Sequence, residues 1–92
     1  MTTYRAPLRD MQFVLQDLLN IEKHYQSLPA CEEVNQDLID AVLGEASKFS
    51  EEIVAPLNAV GDLEGCRMLD NGDVKTPTGF REAYEQYVEA GW

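Results

Sequence analysis

Residues 61–92 read GDLEGCRMLDNGDVKTPTGFREAYEQYVEAGW and hold five of the six glycines and the only tryptophan of the chain. Gly61 and Gly65 predict a chain reversal, since glycine reaches positive φ without steric cost. The DNGD sequence of residues 70–73 predicts a tight turn, because Asn-Gly is the strongest short-range hairpin signal. We therefore expect a turn, then a short extended segment that forms at most a small hairpin, and then a helix.

The final helix is predicted to start at Thr76 as N-cap, with Pro77 at the first helical position, where a missing N–H loses nothing. Gly91 is typical of the position just after a helix end. An apolar stripe at helical spacing lies between these signals: Phe80, Ala83, Tyr84, Tyr87 and Val88.

The first helix is predicted over residues 7–25. Its apolar residues share one face: Leu8, Met11, Leu15, Leu18 and Leu19, widened by Val14 and Ile21. Lys23 and His24 near its end complement the helix dipole. Pro29 ends it, because the residue before a proline is pushed out of the α region.

A longer second helix is predicted from Asn35, its N-cap, to about Val60. Its buried stripe is Leu38, Ile39, Val42, Leu43, Ala46, Phe49, Ile53 and Leu57. Pro56 removes a backbone donor inside this pattern, so a bend is expected there. Gly44 in mid-helix indicates either the close approach of another backbone or a tolerated glycine. The sequence thus predicts an all-α fold of three helices, with a long turn-rich loop before the last.

Composition excludes several classes of function. Seventeen acidic residues against seven basic ones give a net charge of −10, which disfavours nucleic-acid binding and adsorption to anionic membranes. No apolar run approaches the roughly 20 residues that cross a bilayer, and the N-terminus lacks the apolar region of a secretory signal. Two distant cysteines, Cys31 and Cys66, indicate a reducing cytoplasmic compartment. A single disulfide between them stays possible.

Candidate chemical sites have simpler structural interpretations. Residues 70–73 fail the calcium-loop pattern, because Lys75 stands where the sixth position needs glycine. His24, the sole histidine, is expected to complement a helix end, and Cys66 to be a small buried residue. The acidic pairs at residues 32–33 and 51–52 are expected to be solvated surface. We assign no catalytic, cofactor-binding or metal-binding residue.

The apolar helix faces exceed what a mutual core of 92 residues requires. We therefore expect part of this surface to dock on something outside the chain. The candidate docking face is Phe13, Tyr84, Tyr87 and Trp92.

Two separated groups of residues carry a family resemblance. The later group is Gly61-Asp62, Glu64-Gly65-Cys66, Gly72, Val74, Thr76-Pro77, Gly79-Phe80, Ala83-Tyr84, Glu89 and Gly91-Trp92. The earlier group is Ala6-Pro7-Leu8-Arg9-Asp10-Met11 with Phe13-Val14-Leu15. In these residues the chain resembles the acyl-CoA dehydrogenase family, and more narrowly its extended subfamily similar to methylmercaptopropionyl-CoA dehydrogenase.

The resemblance implies an N-terminal helical domain over residues 1–92, with an extension helix in residues 1–28 and the domain proper from residue 35 to residue 92. Enzymes of the family are several times longer, so the chain looks like a fragment. They use FAD to oxidise an acyl-CoA thioester, as in fatty acid metabolism, and their catalytic glutamate and most flavin contacts lie in later domains. The implied partners are the remaining domains and, in the parent enzyme, acyl-CoA; a homo-oligomer is possible. The fragment alone is expected to be inactive and to hold no cofactor.

A second hypothesis is a free-standing acidic helical interaction module that uses the aromatic helix as a partner groove. A reading frame that continues past Trp92 would favour the fragment, and a natural stop codon there would favour the module.

Overall fold

The computed structural model describes residues 3–92, which are helical apart from one small hairpin and the connecting turns. The predicted all-α class is therefore confirmed. The chain divides into two compact units, Met1–Phe49 and Ser50–Trp92. Each unit builds its own set of contacts and is described separately.

The first unit contains α1 (Leu8–Gln12), a π-helical segment (Phe13–Leu18), α2 (Ile21–Gln26), a 3₁₀ turn (Pro29–Cys31) and α3 (Gln36–Phe49). The prediction of one unbroken helix over residues 7–25 is wrong. Asn20 adopts the left-handed conformation, with φ 46° and ψ 55°. Asparagine tolerates this conformation better than other residues with a Cβ atom, so the helix ends and restarts there.

Polar side chains tie the helices of this unit together. Oδ1 of Asp40 on α3 accepts hydrogen bonds from the side-chain amides of Gln12 (3.3 Å), Gln16 (3.1 Å) and Gln36 (2.9 Å). The Glu22 carboxylate on α2 accepts the Gln36 N–H at the start of α3. The Asn35 side chain accepts the Leu38 N–H at 2.8 Å, which confirms Asn35 as the N-cap,.

The second unit starts with a π-helical segment (Ser50–Val54) and α4 (Ala55–Glu64). Pro56 lacks an N–H, and its ring would crowd the carbonyl of Glu52 in a regular α-turn. The predicted disturbance at Pro56 therefore takes the form of a wider π-turn just before it. The helix runs beyond the predicted end at Val60 and stops at Gly65, whose φ is +64°.

A small antiparallel hairpin follows, with β1 (Arg67–Met68) and β2 (Val74–Lys75). Arg67 lies opposite Lys75 and Met68 lies opposite Val74. The predicted turn at residues 70–73 is confirmed: Gly72 has φ +91°, and its N–H bonds to the Leu69 carbonyl at 3.0 Å. A glycine is needed at this position because φ is positive.

The last helix, α5 (Phe80–Glu89), begins later than predicted. Its N-cap is Gly79, with φ +90°, so the prediction of Thr76 as N-cap is wrong. A left-handed residue at 79 cannot lie inside a right-handed helix that starts at Thr76. The predicted end is confirmed, because Gly91 and Trp92 donate their N–H groups to the carbonyls of Val88 (3.1 Å) and Tyr87 (3.4 Å). This is the Schellman arrangement of a helix C-terminus.

No apolar side chain among the described residues is fully removed from solvent. Phe49, which the sequence places on a buried stripe, is only half-buried. No atom lies within 4 Å of the position a Cβ would take at Gly44, which supports a tolerated glycine over a close backbone approach.

Candidate functional site

Two glycines bring α4 and α5 close together in the second unit. A Cβ atom at Gly61 would lie 2.9 Å from Cζ of Phe80, and one at Gly79 would lie 2.8 Å from Cδ2 of Leu57. Either distance is shorter than a normal carbon–carbon contact. A Cβ atom at either position would therefore force the Phe80 or Leu57 side chain to shift, and the two contacts direct the Phe80 side of α5 towards α4.

A carboxylate clasp joins the end of α4 to the start of α5. The Glu64 carboxylate accepts the Thr78 N–H at 2.7 Å and the Thr78 hydroxyl at 2.9 Å. These two hydrogen bonds, the backbone one first, lower the pKa of Glu64, and the positive charge of Lys75 adds to the effect,. The clasp closes the loop of residues 65–77, which contains the hairpin.

The α5 part of the predicted docking face is open to solvent. The exposed fractions are 68% for Tyr84, 42% for Tyr87 and 45% for Trp92. Tyr84 and Tyr87 are three residues apart on one helix and so lie on neighbouring positions of its surface. The Schellman bond from the Trp92 N–H to the Tyr87 carbonyl keeps Trp92 beside the same end of α5,. We call Tyr84, Tyr87 and Trp92 the aromatic face.

Phe13, the fourth predicted docking residue, belongs to the first unit, where its side chain is 58% exposed. It opens the π-helical segment, and Val14 and Leu18 of the same segment are also exposed. Within this segment the Gln16 side-chain amide donates a hydrogen bond to Asp40 on α3 at 3.1 Å. Each unit therefore presents its own apolar surface to solvent.

The residues given simple structural interpretations mostly occupy the expected environments. His24 lies in the last turn of α2, as predicted, and its ring centroid lies 6.0 Å from that of Tyr25. Cys66 is exposed, so its prediction as a small buried residue is wrong; it lies between the end of α4 and β1. Cys31 is half-buried, and both cysteines are free thiols.

Within residues 3–92 no group of three or more acidic, histidine or cysteine side chains could hold a metal ion. In the same residues, no helix is both long and apolar enough to cross a membrane.

Sequence reasoning missed one polar cluster in each unit: the glutamine amides around Asp40 in the first and the Glu64–Thr78 clasp in the second. Thr78 stands two residues before α5, and a threonine there is a recognisable signal for a polar bond near the helix start. The partner of Thr78, Glu64, is 14 residues away across a loop, so no local spacing connects the two residues.

No family model matches the chain. Over 90 residues, which are 98% of this chain, it is 40% identical to 3-methylmercaptopropionyl-CoA dehydrogenase of Ruegeria pomeroyi. Over 94 residues it is 31% identical to butyryl-CoA dehydrogenase of Syntrophomonas wolfei, a match that includes 96% of this chain. The chain spans about 15% of the length of each of these curated relatives.

Both relatives are acyl-CoA dehydrogenases by name, so the matches confirm the resemblance to that family seen in the sequence. The chain is more similar to the 3-methylmercaptopropionyl-CoA dehydrogenase than to the butyryl-CoA dehydrogenase, at 40% identity against 31%.

Proposed function

We propose that the chain is the N-terminal helical segment of an FAD-dependent acyl-CoA dehydrogenase, and that it docks on the domains that perform the chemistry. The parent enzyme would remove hydrogens from Cα and Cβ of an acyl-CoA thioester in the cytoplasm, with bound FAD supplying the hydride acceptor. Residues 1–28 would form an extension, and residues 35–92 would begin the helical domain proper.

One observation carries this proposal: the described residues form helices without a single fully buried apolar side chain. Burial of apolar area is the main favourable term in folding, at roughly 25 cal/mol per Å². Tyr84 and Phe13 are more than half exposed, so the segment gains the free energy of burying them only when another surface covers them,. The similarity to much longer enzymes supports further domains of the same enzyme as that surface.

The described residues give no reason to place the flavin on this segment. Phosphates are usually held by a glycine-rich loop at the start of a helix. In this segment Gly72 lies in a hairpin turn. Gly61 leaves room for the Phe80 ring, and Gly79 leaves room for the Leu57 side chain. We therefore assign no step of the dehydrogenation to a residue of this chain.

The test is a segment exchange in the Ruegeria enzyme, in which residues 1–92 replace the stretch they match. If the segments do the same job, the chimera binds flavin and oxidises its acyl-CoA substrate with an artificial acceptor. Tyr84→Glu should then lower the melting temperature of the chimera, because it buries a charge at the docking face. Gln86→Glu adds the same charge on another side of α5 and serves as the matched control.

A chimera that folds but binds no flavin would overturn the proposal. Equal melting temperatures for the Tyr84→Glu and Gln86→Glu chimeras would show that the aromatic face does not dock. If the chain instead bound a separate protein and left the chimera inactive, the alternative of a free-standing acidic interaction module would be favoured.

A further inference from the structure

The hairpin has a defined pattern of inward and outward backbone groups. The Leu69 N–H bonds to the Asp73 carbonyl at 2.7 Å, so these residues form a hydrogen-bonded pair. Hydrogen-bonded and non-hydrogen-bonded pairs alternate along an antiparallel ladder. The neighbouring pair, Met68 and Val74, is therefore non-hydrogen-bonded, and the N–H and C=O groups of both residues point to the outer edges.

Nothing in the described part of the chain pairs with these edges, because its sheet has two strands only. The apolar side of the hairpin is equally open, with Met68 80% exposed and Val74 57% exposed. An isolated two-stranded hairpin is marginally stable, whereas three strands with a covered apolar face are stable. The hairpin thus has the form of an incomplete sheet that lacks a third strand.

The charges on the hairpin indicate what kind of strand would fit. Arg67 and Lys75 lie directly opposite each other on the face away from Met68 and Val74,. Like charges in this position are destabilising. Within the described residues no ion pair is formed by Arg67 or Lys75. Lys75 helps to lower the pKa of Glu64, but the hydrogen bonds of that carboxylate go to Thr78. The chain as a whole carries a charge of −10, but at this face of the hairpin two facing cations are locally complementary to acidic side chains,.

We infer that the hairpin accepts a third strand from the remainder of the parent enzyme. The strand pairs with the outward backbone groups of Met68 or Val74, and its side chains alternate between apolar and acidic. Its apolar residues extend the face of Met68 and Val74, and its acidic residues extend the face of Arg67 and Lys75,. This mode, in which an extended segment adds to an open sheet edge, gives affinity through the main chain and specificity through the alternating side chains. The inference rests on the function proposed above.

The test compares the isolated chain with the protein encoded by the complete reading frame. Hydrogen exchange measured by mass spectrometry, with fragmentation to single residues, reports the Met68 and Val74 amides in each. One of these amides should exchange at least about tenfold more slowly in the complete protein. Met68→Pro and Val74→Pro each remove one outward N–H and leave the ladder bonds of the hairpin intact. The proline at the paired edge should lower the melting temperature of the complete protein and leave that of the isolated chain unchanged.

Val74→Thr and Met68→Thr are the matched controls, since each keeps the N–H that proline removes. Arg67→Glu with Lys75→Glu tests the charge requirement and should reduce the protection of the paired edge. Equal exchange of both amides in the two proteins overturns the inference. Slow exchange of either amide that appears in the isolated chain and grows with its concentration would assign the hairpin edge to a second copy of the chain. That result would also overturn the inference. Flavin absorbance and dehydrogenase activity of the complete protein test the proposed function separately from these readouts.

Discussion

Replacement of Gly79 by alanine tests the packing of α5 on α4, on which the orientation of the aromatic face depends. Gly79 has φ +90°, and an added Cβ would lie 2.8 Å from Cδ2 of Leu57. An L-residue in a left-handed conformation costs about 1–2 kcal/mol. The crowded contact adds about 1 kcal/mol, at the low end for overpacking because a terminal methyl group of leucine can move.

One term opposes these costs. Alanine restricts the unfolded chain more than glycine does, which stabilises the folded state by about 0.4–1 kcal/mol. The net expectation is that Gly79→Ala lowers the free energy of unfolding by about 1–3 kcal/mol. A loss of about 1 kcal/mol shifts the melting temperature of a domain this size by about 4–8 °C. The assay is urea unfolding followed by helical circular dichroism and by the fluorescence of Trp92, which reports on the second unit.

Two other glycines supply matched controls. Gly91 also has a positive φ, +87°, but nothing beyond its own backbone and chain neighbours lies within 4 Å of its Cβ position, so Gly91→Ala measures the backbone strain and the unfolded-chain term without the crowding,. Gly44 lies in α3 with nothing within 4 Å, so Gly44→Ala should stabilise the chain by up to about 1 kcal/mol,. Equal effects at Gly79 and Gly91 would show that Leu57 is not in tight contact. A Gly79→Ala variant as stable as the wild type would refute the whole account of the α4–α5 junction.

Four further predictions follow from the structure. The pKa of Glu64 is lowered in the folded chain, so the clasp contributes its full stability above the ordinary glutamate pKa of about 4.3 and loses it as the pH falls through the lower pKa of the folded state,. NMR titration of the Glu64 carboxyl checks this, and Thr78→Val should move its pKa back towards the ordinary glutamate pKa. Phe49→Ala should cost about 1–2 kcal/mol, below the roughly 3–5 kcal/mol of a buried phenylalanine, because its ring is only half-buried,; a urea midpoint shifted by the larger amount would contradict this. The isolated chain should neither bind FAD nor oxidise acyl-CoA, and a flavin spectrum in the purified protein would disprove it. The isolated chain should bind a hydrophobic dye and self-associate at high concentration, as measured by sedimentation equilibrium, and Tyr84→Glu with Trp92→Glu should weaken both effects,.

Local signals in the sequence were sufficient for the helical class, the hairpin turn and the C-terminus of α5. Asn71-Gly72 and Gly91 predict their structures because each requires a backbone conformation that few other residues adopt,. The cap at Asn35 is predictable for a similar reason, since its side chain bonds to an amide only three residues away,. The family was also recognisable from residues alone, because its motifs occur in two separated groups.

The start of α5 and the degree of burial were decided by tertiary structure. Thr76-Pro77 is as good a local signal for a helix start as any in the chain. However, the Glu64 carboxylate binds Thr78, and Leu57 packs against Gly79. The helix therefore begins at Phe80. The break at Asn20 is also absent from the apolar periodicity, which continues through it. Periodicity shows which side of a helix is apolar, but not whether anything covers that side. Coverage depends on surfaces distant in sequence, and Phe13 and the residues of the aromatic face keep 42–68% of their surface exposed.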